Sequence, residues 1–140
     1  MSENKMTTQS PVPTISIKIG ETPHEVTMYF GRLDELAEVV GSFERLPDVD
    51  FHAPTRQAVL DICLAPRDER GRRIEGETVN LHQLTVEDGE AVLDFVKDHL
   101  SDFFLGRLEK HLRSLAADGE RLTNVGSSLT GLAGSASETP

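Results

Sequence analysis

The stretch from Thr85 to Ala116 constrains this chain more than any other. Val92, Leu93, Phe95, Val96, Leu100, Phe103, Phe104, Leu108, Leu112 and Leu115 recur mostly at steps of three and four. That spacing gathers the large side chains on one broad stripe of an α-helix, either a single long one or two that nearly touch. Thr85 stands where a capping residue belongs, and Asp88 follows three residues on, favouring the positive end of the helix. Acids crowd the first half (Glu87, Asp88, Glu90, Asp94, Asp98, Asp102) and bases the second (Arg107, Lys110, Arg113), the polarity that suits the helix macrodipole. Gly106 is the weak point of the interior, costing about 1 kcal/mol relative to alanine and marking a place for a bend.

A chain of 140 residues is one domain by size. Its apolar share of 37% is lowered by polar ends, so the middle is rich enough to bury a core. A net charge of −10 argues against a nucleic-acid backbone or an anionic membrane as principal partner, because both would repel it. No apolar run approaches the roughly 20 residues of a membrane span, and residues 1–13 lack a signal-type hydrophobic segment. The lone cysteine, Cys63, allows no internal disulfide. The expectation is a cytoplasmic protein.

Residues 1–13 read as a disordered lead-in ending at Pro11 and Pro13. Ile15, Ile17 and Ile19 then alternate with polar residues over Thr14–Ile19, a half-buried strand. Gly20 to His24 is a turn, and Glu25–Phe30 is a second strand with Val26, Met28 and Phe30 on one face, so the two form an antiparallel hairpin. Leu33–Leu46 has helical spacing, with Gly41 able to end it early and Pro47 certain to stop it. Asp48–Pro54 is a loop. Over Ala58–Ala65 the alternation of Leu60, Ile62 and Leu64 favours a strand, although Val59 and Cys63 also permit a buried helical turn. The strand is preferred because Pro66–Arg73 looks like a hairpin tip, with Ile74–Gln83 returning through Val79 and Leu81. After Ala116 a Gly/Ser/Thr-rich tail follows, residues 117–140, in which Leu122, Val125, Leu129 and Leu132 fall at helical steps interrupted by Gly126 and Gly131. It reads either as flexible or as a segment that orders on a partner. The fold class is therefore α+β: a small antiparallel sheet of two hairpins, one short helix and one long C-terminal amphipathic helix, with residues 14–116 as the single domain.

Little in the chain resembles a chemical site. His24, His52, His82, His99 and His111 lack metal-site spacing, and one cysteine rules out the common zinc sets within one chain. His99 and His111 lie on the long helix roughly three turns apart. Asp94, Asp98 and Asp102 share a helix face and read as a solvated acidic stripe, mildly self-repelling. Arg67, Arg70, Arg72 and Arg73 cluster at the proposed tip, diluted by Asp68 and Glu69. A mixed-charge solvent tip is preferred there over a phosphate site, for want of a glycine-rich loop or a helix N-terminus. No nucleophile motif occurs. The expectation is a protein with no catalytic residues, no metal and no cofactor. Phe103 and Phe104 widen the apolar stripe, and with Phe95, Leu100, Leu105 and Leu108 they offer a large apolar surface. Either all of it is core, or it includes a groove or face for a helical or extended partner or a self-association surface. Phe103, Phe104, Leu108 and Leu112 are the candidate partner-binding residues.

The order of segments resembles the tail assembly chaperones of long-tailed bacteriophages. The hairpin TISIKIG and HEVTMYF runs into the acidic helix LDELAEVVG, and LTVEDGEAVLDFVKDHLSDFFLGRLEKHL closes the ordered part. The resemblance covers about residues 14–116 and is one of pattern, without a diagnostic motif. It implies a non-enzymatic protein that coats a long, helical, aggregation-prone tape-measure protein before the tail tube polymerises, and that is absent from the finished particle. Such proteins often occur also as a longer frameshifted product, and the Gly/Ser-rich end is consistent with the short form. The family has no catalytic motif to carry over, so the partner-binding residues rest on the helical stripe alone. The expected partner is a helical tape-measure-like client, with homo-oligomerisation also open and neither nucleic acid nor membrane involved. The alternative is a structural subunit of a phage tail or related assembly that stays in the particle.

Overall fold

The computed structural model describes the backbone of residues 10–137 and the side chains of residues 10–121. The chain divides into two compact units, Met1–Phe104 and Leu105–Pro140. The class is α+β: among the described residues there are one two-stranded antiparallel sheet and four α-helices, the last of them long.

Strands β1 (Thr14–Ile19) and β2 (Thr22–Thr27) pair from Thr14 opposite Thr27 to Ile19 opposite Thr22. The connection is therefore two residues, Gly20 and Glu21, shorter than the turn expected over 20–24. Gly20 has φ +64°, while no residue other than glycine has positive φ among the described residues. That is the II′ arrangement, whose twist matches paired strands and which takes glycine at its first position. With the turn tightened, β2 begins earlier than the expected Glu25 and ends before Phe30, which opens the next helix and is two-thirds exposed. Ile17 and Val26 are buried, with Ile15, Ile19 and Met28 packed beside them, so the alternation of β1 does mark its inner face.

His24, in β2, is partly buried. Burial lowers its pKa, and the charge of Arg32 lowers it further, because both disfavour the imidazolium. A depressed folded-state pKa contributes stability that is present above the unfolded value, about 6.5, and lost as pH falls through the folded value. Stability should therefore decline as pH falls from about 6.5 through the lower folded-state value, and His24→Gln should flatten this part of a melting-temperature profile. An unchanged profile would remove His24 as its cause.

Helix α1 (Phe30–Val40) starts three residues before the expected Leu33 and stops at Gly41, whose φ of +95° is readily taken by glycine. The segment beyond is a 3-10 turn, Phe43–Arg45, and not a continuation of α1. The expected loop over 48–54 contains a short helix, α2 (Asp48–Phe51), whose Val49 is fully buried.

The main departure from expectation is α3 (Ala53–Leu64). The second hairpin does not form, because its first strand is this helix. Pro54 sits in its first turn, where a missing N–H is harmless, and Thr55 Oγ1 lies 2.7 Å from His52 Nδ1. Val59 through Ala65 are all buried. A helix covered on all sides shows no apolar stripe, so its sequence carries no 3.6-residue period to set against the alternation of Leu60, Ile62 and Leu64. Pro66 then forbids continuation.

Residues 66–84 are mostly irregular. The chain does reverse at Pro66–Arg73, through a single antiparallel bridge between Arg67 and Arg73. The Asp68 carboxylate accepts the backbone N–H of Arg70 and of Arg72, each at 2.9 Å. The expected strand Ile74–Gln83 is absent, and Val79 is its one buried apolar residue. Its N–H donates to the Asp61 carboxylate at 3.0 Å, which ties the segment to α3 without a sheet.

Helix α4 (Val86–Ser137) starts as the sequence implies. Thr85 Oγ1 accepts the Asp88 N–H at 3.1 Å, and the Asp88 carboxylate in turn accepts the Lys18 N–H of β1 at 3.2 Å. Within the first unit, Val92, Leu93, Phe95, Val96 and Leu100 are buried in the core with Leu36, Val40, Val59 and Ile62. Lys97 bridges Asp50 of α2 at 2.7 Å and Asp94 at 3.4 Å. The lead-in expected over 1–13 lies outside the described residues up to residue 9. At its end Pro13 accepts the Met28 N–H at 2.9 Å, and the Val12 carbonyl lies 2.6 Å from His99 Nε2. Of the tail expected over 117–140, residues 117–137 are helical as the end of α4 and not irregular, and the side chains of Leu122, Val125, Leu129 and Leu132 lie outside the described residues.

Candidate functional site

The four candidate partner-binding residues fall in different surroundings. In the first unit, Phe104 packs partly buried against the core, and Phe103 meets it edge-on with ring centroids 5.9 Å apart. In the second unit, Leu108 and Leu112 are 51% and 56% exposed. Leu105 and Leu115, on the same helix, are 47% and 51% exposed.

Leu105, Leu108, Leu112 and Leu115 are spaced three, four and three residues apart, the a/d spacing that lines one seam of a helix for pairing with another. Single exposed leucines are ordinary on a protein surface, but four in one row are a contiguous apolar strip. The residues between them are polar or small: Gly106, Arg107, Glu109, Lys110, His111, Arg113 and Ser114. Arg113 lies 3.6 Å from Glu109 one turn back, and Arg121 pairs with Asp118. A Cβ at Gly106 would meet nothing within 4 Å, so packing does not impose the glycine. The signal for the seam was present in the sequence. It was obscured because the same periodicity runs through the buried part of α4, and spacing cannot tell a covered stripe from an open one.

The chemistry-bearing side chains are dispersed. Among the described residues, no group of three or more His, Cys, Asp or Glu side chains could hold a metal ion. Asp94, Asp98 and Asp102 are exposed on α4, Asp94 being paired with Lys97. Cys63 is buried, and burial pushes its thiol pKa up to about 12 against the opposing pull of Arg32 and Arg67, so it stays a neutral thiol at physiological pH.

Arg67 does not sit in solvent at a tip, as the cluster of arginines implied. Its side chain is 12% exposed. Nη1 and Nη2 donate to the two Glu35 carboxylate oxygens at 3.1 and 3.0 Å, and also to the Gly71 and Ile62 carbonyls at 2.8 and 2.7 Å. This fork joins α1, the end of α3 and the turn at Gly71. Sequence spacing gave no sign of it, since Glu35 and Arg67 are 32 positions apart.

Among the described residues no helix is long and apolar enough to cross a membrane. No family model, no curated protein and no solved structure matches the chain.

Proposed function

We propose that this protein is a non-enzymatic assembly chaperone of the phage-tail type, which holds a long helical tape-measure-like client in soluble form before the tail tube polymerises. The observation that carries the reading is the exposed seam Leu105, Leu108, Leu112 and Leu115. An apolar row at a/d spacing is complementary to the apolar face of another helix, and helix-on-helix docking removes both faces from water. The phage assignment itself rests on the resemblance of residues 14–116 in segment order, size and acidity. A net charge of −10 helps to keep a complex with an aggregation-prone partner in solution.

Co-expression with the tape-measure protein of the same genome tests the reading. The client should stay in the soluble fraction and co-purify with this chain, and it should precipitate when expressed alone. Purified particles should lack the chain. Its recovery in stoichiometric amounts from finished particles would instead make it a tail subunit.

A further inference from the structure

The first unit contains a cleft of about 310 Å³ lined by Tyr29, Gly31, Arg32, Glu35, Arg67, Arg70 and Gly71. Three guanidiniums and one carboxylate face it, an excess of positive charge on a chain whose net charge is −10. Glu35 is engaged by both terminal nitrogens of Arg67 and its charge is also felt by Arg32, so a single carboxylate serves three guanidiniums. Arg32 donates from Nη1 to the Thr27 carbonyl at 2.5 Å, and its buried Nε has no hydrogen-bond partner. Burial lowers the pKa of Arg32 and the neighbouring charge of Arg67 lowers it too, with Glu35 opposing them only in part. The guanidinium is therefore a cation held where charge is unfavourable, and among the described residues no carboxylate is hydrogen-bonded to it. Cys63 lies close enough to be felt by Arg32, but as a neutral thiol it supplies no counter-charge. Arg70 is exposed, and its backbone N–H is fixed by Asp68. Its side chain has no ion-pair partner among the described residues.

We propose that this cleft is an oxyanion-binding site, in which Arg32 and Arg70 donate to one phosphate or carboxylate group and Tyr29 flanks the body that carries it. Guanidinium forks match both groups geometrically, and the pairing is stronger where solvent is partly excluded. The Tyr29 ring is two-thirds exposed at the rim, with the Arg32 guanidinium carbon 6.0 Å from its centroid, an apolar surface beside the charge. The cleft lies at the small end of the range for ligand sites, roughly 300–1,000 Å³, larger than a bare anion needs and sufficient for a small acid or phosphate ester. The site lies within the first unit and is independent of the leucine seam.

The test is an NMR titration of the isotopically labelled full chain with inorganic phosphate, with acetate as the carboxylate probe and chloride at matched ionic strength as control. Saturable shifts at the Arg32 and Arg70 side-chain Nε–H groups and the Gly31 and Gly71 amides are expected. Saturation with phosphate alone would identify a phosphate site, and saturation with acetate alone a carboxylate site. Arg70→Gln, at an exposed position, should keep the spectrum of a folded protein and weaken binding roughly tenfold or more. Arg32→Lys keeps the charge and should still weaken binding by removing the fork. Equal shifts with chloride, or unchanged phosphate and acetate binding in Arg70→Gln, would overturn the assignment.

Discussion

A chain carrying both Leu108→Asp and Leu112→Asp is expected to fold as before and to lose its client. Both leucines are more than half exposed, and substitutions at such positions usually change stability by within about 0.5 kcal/mol each, plus the small helix-propensity penalty of aspartate. The melting temperature should therefore move by only a few degrees. Binding should respond far more strongly. Burying one leucine contributes about 1.5–3 kcal/mol, and an aspartate brought into an apolar seam must be desolvated as well. Two such changes imply a loss of affinity of roughly 10²-fold to more than 10⁴-fold, which in co-expression would appear as a precipitated client. Phe104→Asp is the informative contrast. Phe104 packs against the buried core, so this change should lower stability by about 2–4 kcal/mol, and any loss of client would then follow from unfolding. A double leucine variant that folds and still keeps the client soluble would sink the seam as the binding surface. One that melts as early as Phe104→Asp would make the leucines structural.

What could be read from the sequence followed the exposure of each element. Ile15, Ile17 and Ile19 of β1 and Thr85 at the start of α4 each face the core on one side or cap an end, so period and capping chemistry marked them. The run Val59–Ala65 is covered all round, so it carries no contrast between faces, and a helix there is indistinguishable from a strand until Pro54 is read as its first turn. The candidate site divided in a similar way. The leucines were visible as a stripe, but whether a stripe is covered depends on the rest of the chain: Phe104 packs against the core and Leu108 is half exposed, though both fall on the same helical spacing. The Arg67–Glu35 fork and the cleft beside it depend on residues 32 positions apart, and no local pattern encodes such a pairing.

Asp61→Ala is expected to destabilise the first unit by about 2–3 kcal/mol, through an acceptor that no local pattern announced. Asp61 is buried on α3, and its carboxylate accepts the Val79 N–H at 3.0 Å while both oxygens lie 3.2 Å from Gln57 Nε2. This acceptor takes the place of the ladder that a second hairpin would have supplied. Removing it leaves the Val79 N–H buried without a partner, and an orphaned donor forfeits its full desolvation cost, about 1–3 kcal/mol, with the loss of a charge-assisted bond adding to it. For a unit of this size each kcal/mol lowers the melting temperature by roughly 4–8 °C, so a fall of about 10–20 °C should be seen. Asp61→Asn retains a carbonyl oxygen that can accept the same N–H and should lose distinctly less. The Val79 amide should exchange with solvent faster in the alanine variant, since the bond that protects it is gone. Equal losses from alanine and asparagine would mean that the carboxylate matters for its charge or volume and not as the acceptor for Val79. An alanine variant within about 0.5 kcal/mol of the parent would show that the segment between α3 and α4 is held by the packing of the Val79 side chain alone.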